Sequence, residues 1–465
     1  MPRVVGAVGR YGDERFVARD DAELVARVHD ELVRTMGMSA VPKEAHVQRR
    51  PRAMRQYERR PIIERTGMTA PTTDRARPDG HPAMPVSKVD YCQRPMLVFW
   101  ETTRACQVAC RHCRASALTD PLPGELNPAE GRALVEQVAG FGRPHPILVL
   151  TGGDCLLRAD LFDLVEYATT LGVPVALSPS VTPALTAQMV QRIAASGVKA
   201  VSISLDGAGP ATHEGVRAIE HHFENTVAAI RALVAAGLTV QVNTTVMREN
   251  LRELADIAAL VQQTGAQIWE VFFLVHVGRG VVTSAITPDE HEDVCHFLYE
   301  ASKYGFIVRT VEAPFFRRVV TERRAGGRPP GTAVYHALSQ RLTTLLGPST
   351  RGPSAHTAAT RDGKGILFVA HDGEVYPAGF LPLGLGNLRD RPLNAIYRDD
   401  ALLQQIRGTR FRGRCGRCEY ADLCGGSRAR AYAASGDPLG EDPACVFQPD
   451  AGAHRPEQLN SQVVG

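Results

Sequence analysis

The feature that most constrains the fold is a regular alternation of short apolar runs with longer amphipathic stretches, starting near residue 96. Six apolar runs of strand length follow one another: MLVFWE, PILVLT, VPVALS, KAVSISLD, LTVQVNTTV and QIWEVFFLV. Helical spacing is found between them, at 160–172, 183–197, 223–237 and 250–265. Near-continuously apolar strands separated by helices are typical of βαβ units in a parallel sheet. The sequence therefore predicts an α/β fold, as an incomplete barrel or a doubly wound sheet, with ligands at the carboxyl ends of the strands.

The composition is that of an ordinary globular protein. The 465 residues are 44% apolar and 22% charged, and a net charge of +3 is too small to indicate nucleic-acid binding. The sequence contains no uninterrupted apolar run of about 18 residues, so no membrane span is predicted. The first 30 residues show no secretory signal. We therefore expect a cytoplasmic protein whose ten cysteines are metal ligands or buried fillers rather than disulfides.

The pattern divides the chain into five parts. Residues 1–90 form an N-terminal extension and linker, in which one helical stretch precedes Arg- and Pro-rich sequence that need not be ordered. Residues 91–310 carry the alternation of strands and helices. Residues 311–360 are a less regular connection, residues 361–450 hold a second group of cysteines, and residues 451–465 are a tail.

Three cysteines, Cys106, Cys110 and Cys113, directly follow the first predicted strand. Three thiolates on one loop can hold three corners of a 4Fe-4S cluster and leave the fourth iron open, because the usual full set is four. Zinc with His112 as the fourth ligand is the alternative. Tetrahedral zinc, however, normally takes four ligands in paired arrangements, and His112 lies between the second and third thiols. The spacing therefore favours a cluster with an open iron.

This spacing, followed about 40 residues later by TGGD, closely resembles the radical S-adenosylmethionine (SAM) superfamily. The resemblance covers Trp100–Asp206 and beyond. It implies a partial (βα)6 TIM-like barrel with a smaller C-terminal cysteine-rich cluster domain. It also implies that SAM binds the open iron at the catalytic Cys106, Cys110 and Cys113, and that one electron cleaves SAM to a 5'-deoxyadenosyl radical. The radical abstracts hydrogen from a substrate, while the protein supplies position and excludes water.

The resemblance also places nine residues at the SAM pocket. Gly152 and Gly153 allow close approach of the methionyl amino group, and Asp154 lies beside them. The other candidates for polar contacts with SAM are Ser178, Ser204, Asp206, Arg217, Asn243 and Arg279. Strand-end capping is the alternative for the two serines and Asp206. Two positions depart from the family pattern, because Cys155 replaces the usual proline and Arg217 lacks its usual glycine and phenylalanine neighbours.

The second group of cysteines consists of Cys415, Cys418, Cys424 and Cys445. Four thiols with a leading CxxC fit either zinc or a fully ligated 4Fe-4S cluster, and spacing alone does not choose. The segment resembles the auxiliary-cluster (SPASM or twitch) module of the radical SAM haem-pathway enzymes, which implies a second, auxiliary 4Fe-4S cluster. Ser427 stands where many relatives have cysteine. The lack of a cysteine near Ala378 favours one auxiliary cluster over two.

The same resemblance implies a tetrapyrrole substrate of the coproporphyrin kind. Hydrogen abstraction at a propionate β-carbon, with loss of carbon dioxide and one electron, would leave a vinyl group. Residues 9–58 resemble the C-terminal end of protoporphyrinogen and coproporphyrinogen oxidases, which points the same way. The alternatives are a maturase that modifies a ribosomally made peptide and a cluster-bearing scaffold without catalysis. An electron-donor protein such as flavodoxin or ferredoxin is the expected partner of an enzyme.

Overall fold

The computed structural model describes residues 90–115, 118–280, 285–355 and 359–449, all within one compact unit, Val86–Gly465. The predictions for residues 1–89 and for the tail from residue 451 lie outside the described residues, and so does the resemblance of residues 9–58 to the oxidases. Within the described ranges, no helix is both long and apolar enough to cross a bilayer.

Seven consecutive parallel strands form most of the described sheet. They are β1 (Leu97–Glu101), β2 (Ile147–Thr151), β3 (Val175–Leu177), β4 (Ala200–Ser204), β5 (Thr239–Val246), β6 (Ile268–Phe273) and β7 (Ile307–Val311). The six predicted strands correspond to β1–β6. Buried and half-buried residues alternate along β2, β4 and β5, because one face packs beneath helices and the other lines a concave surface.

The helices between these strands cover the outer face of the sheet. They are α1 (Pro128–Ala139), α2 (Leu161–Thr170), α3 (Ala187–Ala195), α4 (Pro210–Arg217), α5 (His222–Ala235), α6 (Leu254–Thr264) and α7 (Pro288–Ala301). Local sequence fixes several starts. Asn127 and Thr287 each form a capping box with a glutamate three residues later, and proline occupies the first turn of both α1 and α7. The partial barrel implied by the resemblance is thus confirmed.

The predicted connection at 311–360 is more regular than its sequence indicates. It contains α8 (Phe316–Arg324) and α9 (Ala333–Leu346), and α9 packs against α6 and α7. The apolar pattern of α8 is obscured because Arg317 and Arg318 are buried, where arginine is rare. Coil follows both α8 and α9, where the sequence is rich in glycine and proline.

The cysteine-rich C-terminal part shares the sheet of the barrel. Its elements are β8 (Ile366–Val369), β9 (Glu374–Tyr376), β10 (Gly386–Asn387), α10 (Leu393–Asp399), α11 (Ala401–Arg407), α12 (Gly413–Arg417) and α13 (Arg428–Ser435). Strand β8 pairs in parallel with β1, and β9 and β10 continue the sheet in antiparallel fashion. The strand order is therefore β10-β9-β8-β1-β2-β3-β4-β5-β6-β7. The strand that precedes the first cysteine loop thus lies beside the first strand of the cysteine-rich part.

Candidate active site

The loop after β1 gathers the first three thiols. Cys106 and Cys110 are buried around Val108, and the half-buried Cys113 packs against them. The backbone N–H of Val108 lies 3.4 Å from Cys106 Sγ, and Ser180 Oγ lies 3.6 Å from the same sulfur. Burial raises the pKa of the Cys106 thiol. A positively charged metal centre would offset this preference for the neutral form, so the site suits thiolate ligands.

Gly152 and Gly153 fit the loop after β2 against this cysteine loop. The N–H of Gly153 donates to Thr103 O at 2.7 Å, and the N–H of Asp154 donates to Ala105 O at 2.7 Å. A Cβ on Gly153 would lie only 2.2 Å from Ala105 O, and one on Gly152 would lie 2.5 Å from Thr103 O. Glycine is therefore required here for the approach of two backbone segments.

Asp154 is fully buried and joins the loop after β2 to the loop after β3. Its carboxylate accepts hydrogen bonds from the N–H groups of Leu156 and Ser180 and from the Thr182 hydroxyl at 2.9 Å. Burial raises its pKa. The predicted Ser178 lies in the loop after β3, and its backbone N–H donates a hydrogen bond to Leu150 O. Ser180, two residues further on, is the serine that reaches a thiol.

Asp206 and Arg217 meet at the second thiol. Arg217 Nη1 lies 3.3 Å from Cys110 Sγ, and Nη2 donates to the Asp206 carboxylate. The same carboxylate accepts the N–H of Thr245 at 2.8 Å. Burial opposes ionisation of Asp206, but the charge of Arg217 acts together with the N–H of Thr245 and other nearby groups, and their combined effect lowers the pKa of the carboxyl. The pair places a guanidinium against the cysteine loop.

Two buried histidines, which the sequence did not single out, hold the backbone next to Asp206 in place. The N–H of Asp206 donates to His213 Nδ1 at 3.1 Å, so His213 Nε2 carries the proton that it shares with His222 Nδ1 at 2.8 Å. His222 Nε2 in turn donates to Val181 O at 2.9 Å. Burial, together with the charge of Arg217, lowers the pKa of His213 to about 3. Both rings therefore act as neutral connectors between loops.

Of the remaining predicted residues, Ser204 ends β4, Asn243 lies within β5 rather than at its end, and Arg279 lies in the loop after β6. Ser204 is the register partner of Asn243, whose Oδ1 accepts a bond from Gln241 Nε2 at 2.8 Å. Arg279 donates its N–H to Cys113 O at 2.8 Å. Its guanidinium Nε and Nη2 are buried without a hydrogen-bond partner in the described part of the chain. The structure thus brings Arg279 to the cysteine loop, with free donors.

A cavity of about 290 Å³ opens beside the third thiol. His112, Val216, Met247 and Leu274 line it, and Arg111 lies at its edge. Burial lowers the pKa of His112 to about 4, and its Nε2 lies 3.8 Å from Asp206 Oδ2. The walls are largely apolar side chains from α4 and from the ends of β5 and β6. Val216, Met247 and Leu274 were missed in the sequence because each occupies an ordinary core position.

The second group of thiols is held by α12 and the loops around it. Cys424 is buried, and Cys415, Cys418 and Cys445 are half-buried. The N–H of Gly426 lies 3.4 Å from Cys424 Sγ, and a Cβ on Gly426 would lie 3.0 Å from Cys415 Sγ, so both thiols lie against the same glycine. Burial raises the pKa of Cys424 to about 12 and that of Cys445 to about 11. As in the first group, a metal centre would compensate for ionised sulfur.

Ser427 has a structural place beside this second group. It caps α13, accepting the N–H of Arg430 at 2.9 Å, and its hydroxyl donates to the carboxylate of Glu312. Glu312 and Asp362 are also buried and hydrogen-bonded to each other, and burial raises the pKa of both. A hydroxyl at this position therefore ties the end of β7 to α13.

Neither group of thiols forms a site for a single ion. Across the described ranges, no three His, Cys, Asp or Glu side chains approach closely enough to hold one metal ion. The donors of each group are nevertheless sulfur atoms, the ligands that hold iron–sulfur clusters.

Comparison with known proteins identifies the class. The model of the radical SAM superfamily matches residues 100–261, and that of an iron-sulfur cluster-binding domain, SPASM, matches residues 361–419. The chain is 37% identical over 388 residues to the AdoMet-dependent heme synthase of Oleidesulfovibrio alaskensis, covering 80% of this chain and 95% of that protein. The AdoMet-dependent heme synthase of Methanosarcina barkeri is 35% identical over 76% of this chain and 97% of its own length.

A solved structure supports the fold independently. Native anSMEcpe with bound AdoMet superposes with a TM-score of 0.54 at 16% identity, over 75% of this chain and 93% of that chain. Fold, thiols and sequence together define a cluster-containing enzyme that uses SAM. The chain belongs to the radical SAM superfamily, and its cofactors are a SAM-binding 4Fe-4S cluster, SAM and an auxiliary cluster.

Proposed function

We propose that Cys106, Cys110 and Cys113 hold the SAM-binding cluster. The grouping of these three thiols on one buried loop at the carboxyl end of β1 supports this assignment. Three protein ligands leave one iron for SAM, and the fit is good because the thiols have hydrogen-bond donors close to sulfur. When bound, the cluster and SAM supply one-electron cleavage of SAM and abstraction of hydrogen from the substrate.

The residues around the loop position these components. Gly152 and Gly153 fix the approach of the loop after β2, and Arg217, paired with Asp206, donates to Cys110 Sγ. Arg279 offers its free buried N–H groups for the carboxylate of SAM, which is the anion that this pocket would receive. Asp154, Ser178, Ser204 and Asn243 complete the set of polar residues that the sequence assigns to the SAM pocket.

The cavity beside Cys113 suits the adenine of SAM. Its volume of about 290 Å³ and its apolar walls of Val216, Met247 and Leu274 fit a flat heterocycle, and the His112 ring adds a stacking surface. Because the cavity borders the cysteine loop, a base held there would keep the sulfonium near the open iron.

We further propose that the substrate is a tetrapyrrole with propionate side chains. The observation that carries this is the 37% identity to a haem synthase over 95% of its length. In the reaction a β-C–H bond of a propionate breaks homolytically, carbon dioxide leaves, and a vinyl group forms as one electron departs. A peptide-modifying maturase has less support, because the mycofactocin maturases that match the chain are 29–30% identical, against 35–37% for the haem synthases.

The second group, Cys415, Cys418, Cys424 and Cys445, supplies a full set of four ligands for one auxiliary cluster. Such a centre is a suitable acceptor for the departing electron, because its potential is set by ligation and surroundings. A flavodoxin or ferredoxin is the electron donor that we propose for SAM cleavage. Reduced thiols of this kind persist in the cytoplasm, where such donors also occur.

Anaerobic reconstitution with SAM tests this function. We expect about eight irons per chain, formation of 5'-deoxyadenosine with dithionite, and faster cleavage with release of carbon dioxide when iron-coproporphyrin is added. The variant Cys110→Ala should abolish 5'-deoxyadenosine, and Cys92→Ala, an exposed cysteine outside both groups, should not. If iron-coproporphyrin neither speeds cleavage nor releases carbon dioxide, the tetrapyrrole assignment is wrong and the peptide hypothesis takes its place.

A further inference from the structure

Three arginines are buried around the second group of thiols. Arg428 is 0% exposed, Arg361 is 4% exposed and Arg317 is 8% exposed. Buried guanidinium groups are costly unless a negative charge accompanies them, since arginine stays protonated at all relevant pH values. The three arginines therefore need negative charge close by.

The contacts of these arginines are almost all with the backbone of the cysteine-bearing loops. Arg428 donates to the carbonyls of Gly426, Pro438 and Gly440, and its Nη2 lies 3.6 Å from Cys415 Sγ. Arg361 donates through Nη1 to Ala421 O, Asp422 O and Cys424 O, and Arg317 donates to Leu423 O at 3.2 Å.

Phe411 stacks between two of these guanidinium groups. Its ring centre lies 4.4 Å from the Arg428 carbon Cζ and 5.2 Å from that of Arg361. An aromatic face stabilises a cation but carries no net charge. Among the described residues, none of the three arginines has a carboxylate within ion-pair distance.

The nearby carboxylates are engaged elsewhere. Asp362 caps α13 by accepting the N–H groups of Arg428 and Ala429, and Asp442 is ion-paired with Arg430. The carboxylates acting on the three guanidinium groups at longer range are Asp362, Asp422, Asp437 and Asp442. The neighbouring arginines Arg318 and Arg414 are themselves paired with glutamates. The nearest group able to carry compensating negative charge is thus the set of four sulfurs.

At the first group of thiols, the guanidinium within reach of sulfur, that of Arg217, is paired with the Asp206 carboxylate. The guanidinium of Arg279 also lies at that loop, where we propose that it receives the carboxylate of SAM.

We propose that Arg428, assisted by Arg361 and Arg317, raises the reduction potential of the auxiliary cluster so that it accepts the electron released by the substrate. Reduction by one electron adds a negative charge among the four sulfurs, and fixed buried cations stabilise the more negative state. In the redox step the substrate radical is oxidised by one electron as carbon dioxide leaves, and the auxiliary centre is reduced by one electron. The proposal rests on ligation by Cys415, Cys418, Cys424 and Cys445.

The test is a redox titration of the full-length chain in which Cys106, Cys110 and Cys113 are replaced by alanine, so that only the auxiliary cluster remains. Midpoint potentials are read from the electron paramagnetic resonance signal. In this background, Arg428→Gln should decrease the equilibrium constant for reduction at least about tenfold, and each tenfold change is ~59 mV for one electron. Arg428→Lys should keep the original potential, because it keeps the charge.

The matched control is Arg412→Gln in the same segment. Its side chain is 64% exposed and paired with Asp437, so the potential should not change. An unchanged potential in Arg428→Gln with about four irons retained overturns the proposal, and so does a fall in Arg428→Lys equal to that in Arg428→Gln. If Arg428→Gln loses its iron, Arg361→Gln gives the same reading, and loss of iron in Arg428→Lys as well would assign the arginine to packing and overturn the proposal.

No substrate or SAM is present in this titration. Its outcome is therefore independent of the tetrapyrrole assignment, which stands or falls on the stimulated cleavage of SAM.

Discussion

At the scale of single residues, close backbone approach accounts for the second glycine of TGGD. A Cβ on Gly153 would lie 2.2 Å from Ala105 O, and backbone atoms on both sides leave little room to move. We expect Gly153→Ala to displace the cysteine loop, to reduce bound iron from about eight to about four per chain, and to destabilise the fold by about 1–3 kcal/mol. Iron analysis and thermal melting measure both effects.

Gly331→Ala is the control for this substitution, because an added Cβ there meets no atom within 4 Å. Its iron content should equal that of the original chain. Full iron and full SAM cleavage in Gly153→Ala would contradict the assigned role of the glycine.

His213 predicts a pH dependence of stability. Its pKa is about 3 in the fold, against about 6.5 for a free histidine, so between these values the unfolded chain binds more protons. Stability from the neutral ring is complete above about pH 6.5 and is lost as pH falls, by up to about 1.4 kcal/mol per unit. Unfolding free energies from urea titrations at pH 7 and 5.5 should therefore differ less in His213→Gln than in the original chain.

His336→Gln, which changes an exposed histidine on α9, should leave that difference as it is. Equal pH dependence in His213→Gln and the original chain would show that the buried ring contributes no such step.

The sequence shows the thiols and glycines as local motifs but does not show the contacts between loops. Cysteine spacing and a glycine pair are local signals, so Cys106 and Gly153 could be found without a structure. Ser180, His213 and the cavity residue Met247 carry no such signal, because their role depends on which loops fold against each other. The SAM contacts assigned to Ser178 and Asn243 stay predictions.

At the scale of elements, the pairing of β8 with β1 is the feature that local pattern could not predict. Leu97 is in register with Ile366, and the chain between β1 and β8 contains six other strands of the same sheet, β2–β7. The alternation of apolar runs and helices predicted β1–β6 because each βα unit repeats the same local signal. The same pattern did not predict that a strand of the C-terminal part would pair with β1.

Leu367 tests this pairing. Its side chain on β8 is fully buried, so Leu367→Ala should destabilise the protein by about 2–5 kcal/mol through lost burial and a cavity. Leu118→Ala, where the leucine is 47% exposed, should change stability by no more than about 0.5 kcal/mol. Urea unfolding of both variants measures the difference. Similar losses in the two would contradict the burial of β8 against the barrel.

At the scale of the whole molecule, we expect the two groups of thiols to have separate roles. Loss of an auxiliary ligand in Cys418→Ala should leave the first cluster and its SAM cleavage in place, because the two groups occupy separate loops. Product formation should fall at least about tenfold, since the departing electron loses its acceptor. Parallel measurements of 5'-deoxyadenosine and of vinyl product, with Cys92→Ala as control, give the ratio. Equal loss of both activities would mean that the groups are not functionally separate.

The position of β8 also has a consequence for biogenesis. During translation, the backbone hydrogen-bonding groups on one edge of β1 have no partner strand until residues 366–369 emerge. Until then, the loop that bears Cys106 follows a strand that is paired on one side only. We therefore expect the cysteine loop to reach its final place only after most of the polypeptide has been translated.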